Sequence, residues 1–497
     1  MSAVQSSLAG LFAPWVTVAA DATVTAVTLD SRSVTPGALF LAVAGSARHG
    51  IDFLQPALEA GAAAIAYDPM PEVDSVAVTE ACARRGAIAL QVPELGRRAS
   101  AVAARFHGHP AREMRVVGVT GTDGKTSVSQ FLAQALDRPG GRCGVLGTLG
   151  WGFPDDLRAS ANTTPDAVTV QRCLARLLAE GATAVVLEAS SHALDQYRVE
   201  AVPFNVAVLT NLSRDHLDYH GTEEAYAQAK ARLFAWPGLG ACVLNLDDDF
   251  GRRLADRLRA AHTIGYSIDG AAGAVLRCLA LEAQPRALRL ALVAMGRPAA
   301  LRVPLLGRFN AANVLAALGA LLVLDLPLAD ALERLRRLRP VAGRMECHGG
   351  NGRPWVVVDY AHTPAGLQAA LAAMREHFPG RIWCVFGCGG DRDRGKRALM
   401  GALVRAKADR VVITSDNPRG EDPHRIIADI QAGADADSRV MIMPNRREAV
   451  IQSIRAADPE DAILVAGKGH EEVQLIGSER LPYSDRETVK RALEDLH

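Results

Sequence analysis

Short runs of Val, Ile, Leu and Ala recur along the chain, and most break off into polar or glycine-rich residues before a stretch with apolar positions at helical spacing. Runs that are apolar throughout, rather than alternating, are the pattern of strands buried on both faces of a parallel sheet. Residues 1 to about 95 predict a small α/β unit, with strands at 24–29, 38–43, 63–67 and 87–92, a loop at 45–50 and a helix over 51–60. From about 112 to 335, a run starting at 115 enters a glycine-rich turn and a helix over 128–136. Strands at 184–187, 206–209 and 242–244 then end in Glu188, in the segment Thr210 to Asp218, and in Asn245 to Asp249. Thr222 predicts the N-cap of a helix that carries Lys230, and 305–324 predicts a long Leu/Ala helix. After the basic stretch ending at Pro340, strands at 355–358, 382–386, 410–414 and 462–465 predict a Rossmann-like sheet. Their polar tips gather at one edge, where ligands of such sheets bind. No G-x-G-x-x-G follows the first of these strands, which disfavours a dinucleotide.

The turn at 118–127, GVTGTDGKTS, sits where a strand becomes a helix. Backbone N–H groups and a helix N-terminus can wrap a polyphosphate there. Lys125 would reach the outer phosphates, and the Thr126 hydroxyl would reach Mg²⁺. Glu188 and His216, at strand tips, are expected to face the same edge. They could complete a Mg²⁺ shell, or Glu188 could cap the next element while His216 fills a polar loop. Lys230, alone on a helix with Ala-rich neighbours, reads locally as a solvated surface charge. Asn310 and Asn313 share a helical face and either cap the helix or contact a base. The turn Asp30-Ser31-Arg32 is either structural or a ligand contact. Arg392 and Arg419 could grip carboxylates and Glu471 an amine, a combination that suits an amino acid.

Composition narrows the class. The chain has 497 residues, too many for one core. It is 49% hydrophobic and 22% charged, with 55 basic and 55 acidic residues, so no general basic field invites nucleic acid or an anionic membrane. The eight cysteines form no C-x-x-C pair; Cys384 and Cys388 predict buried thiols, not zinc ligands. Neither a secretory signal nor a membrane span is apparent, so a cytoplasmic protein is expected.

Taken together, GVTGTDGKTS, Asn162-Thr163-Thr164-Pro165, EASSHALDQYR, NLSRDHLDYHGT, GRFN, GRME, DYAHTP, GCGGDRDRGKR, SDNPRGE and AGKGHE resemble the Mur ligases of peptidoglycan synthesis, and among them the diaminopimelate-adding members. The resemblance covers nearly the whole chain. It implies three α/β domains: 1–98 for the uridine nucleotide, 99–338 as a central phosphate-loop ATPase with a mainly parallel sheet, and 339–497 as a Rossmann-like domain for the incoming amino acid. It implies ADP-forming ligation of meso-2,6-diaminopimelate to the D-glutamate carboxylate of UDP-N-acetylmuramoyl-L-alanyl-D-glutamate. An acyl phosphate is the intermediate, and ATP and Mg²⁺ are the cofactors. Separately from the resemblance, a monomer is expected.

The resemblance also assigns residues. Gly121, Thr122, Asp123, Gly124, Lys125, Thr126 and Ser127 hold ATP, with Asn310, Arg344 and Asp359. Lys125, Glu188, His216 and Lys230 are catalytic. Thr126, Glu188, His216 and Lys230 form the metal shell, Lys230 as a carbamate. Leu29, Ser31, Asn162, Thr163, Thr164, Ser190, Gln196 and Arg198 hold the muramoyl dipeptide. Arg392, Asp416, Asn417, Pro418, Arg419, Gly467 and Glu471 hold diaminopimelate. Arg419 is absent from lysine-adding relatives, whose amino acid has no second carboxylate. Three positions depart from the family pattern: Asp123 in place of the usual Asn, Ala365 after the AHTP motif, and Asn445-Arg446 for Asp-Arg. Two other readings are a folylpolyglutamate-synthase-like ligase and a nucleotide-binding regulator without catalysis. The Asp416-Asn417-Pro418-Arg419 motif and the long leading domain count against the first. Lys125, Thr126, Glu188, His216 and Lys230 count against the second.

Overall fold

The computed structural model describes residues 5–45, 48–258, 262–434 and 438–496. The loop expected at 45–50 therefore falls partly outside the described residues. The chain forms two compact units, Met1–Gly265 with Gly319–Asp325, and Tyr266–Leu318 with Leu326–His497.

The first unit opens with an all-parallel sheet of four strands in sequence order, Ala26–Thr28, Ala38–Ala42, Ala64–Tyr67 and Ile88–Gln91. Side chains alternate across a strand, and Ala38–Ala42 shows the result. Leu39 and Leu41 enter one cluster with Leu95, Val102 and Phe106 of the helix Leu95–Phe106, whereas Phe40 packs with Leu58, Val78 and Cys82 on the other face. The predicted helix at 51–60 begins as a 3₁₀ turn, Gly50–Phe53, and becomes α-helical over Leu54–Glu59.

The unit's larger sheet runs in the order Asp156–Arg158, Gly150–Phe153, Arg142–Gly147, Ala182–Glu188, Arg115–Thr120, Val206–Leu209, Ala241–Asn245. Its last five strands are mutually parallel. The phosphate-loop strand Arg115–Thr120 is thus flanked on both sides. Register sets Glu188 opposite Val119, level with the start of the loop.

The second unit holds an antiparallel meander, Leu276–Gln284, Ala287–Ala294 and Arg297–Val303, which the apolar-run reading did not anticipate. Its main sheet has six strands in the order Glu346–Gly349, Trp355–Asp359, Ala462–Ala466, Ile382–Phe386, Arg410–Ile413, Val440–Ile442. The first pair is antiparallel and the rest are parallel. The four predicted strands form its middle, and two edge strands are added. Val357 packs on one face with Leu367 and Met374, and Val356 and Val358 pack on the other with Val450 and Val489. A hairpin, Val473–Ile476 with Glu479–Pro482, follows the last tip. Among the described residues no helix is long and apolar enough to cross a membrane.

Candidate active site

The glycine loop joins Arg115–Thr120 to the helix Lys125–Leu136, with Gly124 in the left-handed region at its N-cap. The turn is pinned from the neighbouring strand tip. Thr122 N donates to Asn211 O at 2.9 Å, Asp123 N to Asn211 Oδ1 at 2.9 Å, and Thr210 Oγ1 to Asp123 O at 2.5 Å. Asp123 is therefore held through its backbone, and its side chain is exposed. Lys125 Nζ donates to Gly121 O (2.9 Å) and Thr122 O (2.8 Å), folding back over the loop. Gly121 has φ of 150°, and a Cβ there would stand 1.8 Å from Thr210 Oγ1. Gly121→Ala should therefore displace the Thr210 brace and raise the KM for ATP by about tenfold or more, with the fold retained. Nucleotide titration beside a thermal melt checks this.

Glu188 is wholly buried. It accepts from Thr126 Oγ1 at 3.0 Å, Thr148 N at 2.9 Å and Thr148 Oγ1 at 3.1 Å. Burial pushes its carboxyl up, opposed by the nearby Lys125 charge and by these bonds. It does not cap the following helix. That role belongs to Ser190, whose Oγ accepts from Ala193 N. A buried carboxylate beside a hydroxyl gains from a cation, and Mg²⁺ takes only one or two protein carboxylates with phosphates and water. The pair fits that ion. No cluster of three or more His, Cys, Asp or Glu side chains forms a closed metal cage among the described residues.

Lys230 is not a surface charge. Its side chain is 1% exposed, and Nζ donates to Gly121 O at 2.6 Å. Burial, seconded by repulsion from Lys125, pulls its pKa well below the usual lysine value despite Asp215 and Asp123. Tyr226 lies beneath it, with Nζ 4.5 Å from the ring centre. His216 is exposed, with φ of 52°, and its ring meets His192 edge-on at 4.9 Å and Tyr226 at 6.1 Å.

A cavity of about 1210 Å³ in the same unit is lined by Leu29, Asn162, Gln196 and Arg198. Arg198 Nη1 donates to Thr164 O at 2.8 Å, and its Nη2 to Gln196 Oε1 at 2.6 Å. Thr164 Oγ1 in turn donates to Glu188 O at 2.5 Å and meets Ser190 Oγ at 3.2 Å, while Thr163 Oγ1 meets Thr148 Oγ1 at 3.0 Å. Hydrogen bonds thus lead from the cavity wall to Glu188. Ser31 does not line the cavity; it begins a 3₁₀ turn capped by Asp30. Thr148, Thr210 and Asn211 brace these groups; Thr148 lies outside every motif, and Thr210 and Asn211 are read from sequence as part of a polar strand tip, with no role assigned.

In the second unit, Asn310 is buried and gives Nδ2 to Leu306 O at 2.8 Å, and its Oδ1 accepts from Asn313 at 3.0 Å. Asp359 accepts from Met345 N and Ala361 N, both at 2.8 Å, and burial pushes it up. Arg344 lies over Tyr360, 4.5 Å from the ring centre, and its buried Nε has no hydrogen-bond partner among the described residues. The turn carrying Arg344 is anchored by Glu346, which accepts from Gly343 N at 2.8 Å and Arg486 Nε at 2.5 Å. Burial alone would raise Glu346, but His348, Arg486 and Gly343 outweigh it and hold the carboxyl at about 2. A depressed carboxyl stabilises the fold above its usual value of 4.5 and loses that contribution as pH falls through about 2. Glu346→Gln should cost on the order of 3 kcal/mol at neutral pH, a gap that closes between pH 4.5 and 2 in denaturant titrations.

The tips of the same sheet gather Asp416, Asn417, Pro418, Arg419, Gly467 and Glu471. Asn417 Nδ2 donates to Glu471 Oε2 at 2.8 Å. A Cβ on Gly467 would stand 2.5 Å from Asp416 Oδ2. Arg419 has φ of 51°, and its Nη1 reaches Gly390 O at 2.8 Å. Arg392 is exposed, its Cγ 3.8 Å from where a Cβ on Gly389 would lie.

The Mur ligase middle domain matches residues 119–321, the Mur ligase glutamate ligase domain residues 343–469, and the Mur ligase family catalytic domain residues 23–107. UDP-N-acetylmuramoyl-L-alanyl-D-glutamate–2,6-diaminopimelate ligase of Alkalilimnicola ehrlichii is 54% identical, over 97% of this chain and 98% of its own. The Pseudomonas aeruginosa protein of that name is 50% identical, over 95% of this chain and 96% of its own. A solved structure of a ligase with the same name superposes with a TM-score of 0.71 at 34% identity, covering 99% of both chains. With likeness of this depth along nearly its whole length, the chain belongs to the Mur ligase family.

Proposed function

We propose that this chain ligates meso-2,6-diaminopimelate to UDP-N-acetylmuramoyl-L-alanyl-D-glutamate, with ATP cleaved to ADP and phosphate, in cytoplasmic peptidoglycan precursor synthesis. The observation that carries the reading is the 54% identity to a ligase of that name over 97% of the chain. The three α/β domains proposed from the sequence, 1–98, 99–338 and 339–497, divide the labour. A carboxylate is a poor electrophile, so phosphorylation supplies a leaving group that the incoming amine displaces.

The loop Gly121–Ser127 holds the phosphates, and Lys125 offsets their charge. Thr126 and Glu188, 3.0 Å apart, would hold Mg²⁺, with His216 and carbamylated Lys230 completing its surroundings. The ion, when bound, neutralises charge that develops on the transferring phosphoryl group. Leu29, Asn162, Gln196 and Arg198 hold the nucleotide-linked dipeptide in the cavity, with Ser31, Thr163, Thr164 and Ser190 beside it. Asp416 to Arg419, Arg392, Gly467 and Glu471 hold the amino acid.

The test is ATP-dependent phosphate release with the muramoyl dipeptide and, in turn, meso-diaminopimelate, lysine and glutamate. Release with meso-diaminopimelate is expected. Release with glutamate alone, or with none, overturns the reading.

A further inference from the structure

Lys468 lies in the Gly467–Glu471 tip, between two residues assigned to the amino acid, and no role falls to it there. Its side chain is wholly buried. Nζ donates to Glu471 Oε2 at 2.8 Å and to Asn417 Oδ1 at 2.9 Å. Asn417 Nδ2 donates to the same Oε2 at 2.8 Å, and its Oδ1 also accepts from Leu475 N at 3.0 Å. Both donors to Glu471 thus land on one oxygen. Among the described residues Oε1 takes no hydrogen bond, and the Glu471 side chain is 28% exposed.

We propose that Lys468 is a positioning residue for the incoming diamino acid, clamping Glu471 through Oε2 so that Oε1 is left to accept the ligand's far-end ammonium. The proposal rests on the amine-binding role given to Glu471 above. It also explains a matter of charge. Lys468 balances Glu471, so the pair presents an acceptor without a net negative charge. With Arg419 at the same sheet edge, such a site suits a far end that carries both ammonium and carboxylate. A bare ammonium, as in lysine, would find no net negative charge to attract it.

The test is steady-state phosphate release by the full chain, with nucleotide substrates saturating and either meso-diaminopimelate or lysine varied. Lys468→Met should raise the KM for meso-diaminopimelate about tenfold or more, leave the KM for ATP within about twofold, and narrow the preference over lysine. Lys468→Arg, which keeps the charge, should recover part of the loss. Lys468→Met combined with Glu471→Gln should be no worse than Glu471→Gln alone, because one residue acts through the other. An unchanged diaminopimelate KM, equal losses towards ATP and diaminopimelate, or fully additive effects would overturn the proposal. Where Lys468→Met does not fold, the Lys468→Arg and Glu471→Gln cycle gives the same decision. A wild-type chain inactive with meso-diaminopimelate would instead sink the reading of the whole site, an outcome distinct from these.

Discussion

Replacing Lys230 with Ala should lower turnover by about a hundredfold to a thousandfold, with KM for meso-diaminopimelate little changed. The reason lies in the protonation state. An amine attacks CO₂ only when neutral, and burial with the Lys125 charge pulls Lys230 well below the usual lysine value. The neutral amine's attack would form an N–C bond, open one C=O π bond of CO₂ onto oxygen, release one proton and leave a carbamate anion where an uncharged amine stood. The carbamate nitrogen retains one N–H, enough to keep the 2.6 Å bond to Gly121 O. Lys125, which disfavours an ammonium at this spot, would attract the anion formed from the neutral amine. Two readouts separate this from simple loss of a buried side chain. Short carboxylates such as formate or acetate should restore part of the Lys230→Ala rate, and stripping dissolved CO₂ should slow the wild type but not the variant. A variant as fast as wild type, or one that no carboxylate rescues while CO₂ removal leaves wild type untouched, refutes the carbamate.

Lys230 also shows where sequence reading stops. On its helix the local pattern is polar and alanine-rich, and the prediction of a helix capped by Thr222 is met. Burial comes from Gly121, 109 residues earlier, and no local pattern records that. Glu188 is similar: its strand was visible, but its partners are Thr126, in the first turn of the helix Lys125–Leu136, and Thr148, just past the strand Arg142–Gly147. The strands Val206–Leu209 and Ile382–Phe386 were legible because both faces are buried and nothing polar interrupts the run. The edge strand Val440–Ile442 has three residues, two half-buried and one exposed, too few to stand out from a loop. The meander is another matter. Leu288, Leu290 and Leu292 are buried and alternate with exposed Arg289 and Ala291, a period-two signal that a search for continuous apolar runs does not register. Lys468 and Arg446 were unreadable for the same reason as Lys230. Arg446 is buried against Asp485 at 2.7 Å and gives Nη2 to Ala466 O at 2.8 Å, partners remote in sequence.

Arg419→Ala should raise the KM for meso-diaminopimelate by about thirtyfold to a thousandfold while leaving the KM for ATP within about twofold. Arg419 is held in an unusual way. Its backbone has φ of 51°, a left-handed conformation costly for a residue with a long side chain. The hairpin stabilises it there, with Arg419 N donating to Leu475 O at 3.0 Å and Gly477 N donating to Arg419 O at 2.7 Å. Its guanidinium spends Nη1 on Gly390 O, at 2.8 Å, and among the described residues no carboxylate pairs with it. A cation fixed by its backbone and lacking an acidic partner is set up to receive an anion. The far carboxylate of diaminopimelate supplies one, and lysine does not. Gly389 keeps the approach open, since a Cβ there would come within 2.8 Å of Nη1. Arg419→Lys should fall between wild type and Arg419→Ala, because an ammonium keeps the charge but not the two-pronged geometry. The lysine KM should barely respond to either change, so the preference for diaminopimelate should collapse through loss of the favoured substrate rather than gain of the other. Equal loss of ATP and diaminopimelate affinity would instead assign Arg419 to holding the hairpin, and a lysine KM that rose in parallel would remove it from specificity altogether.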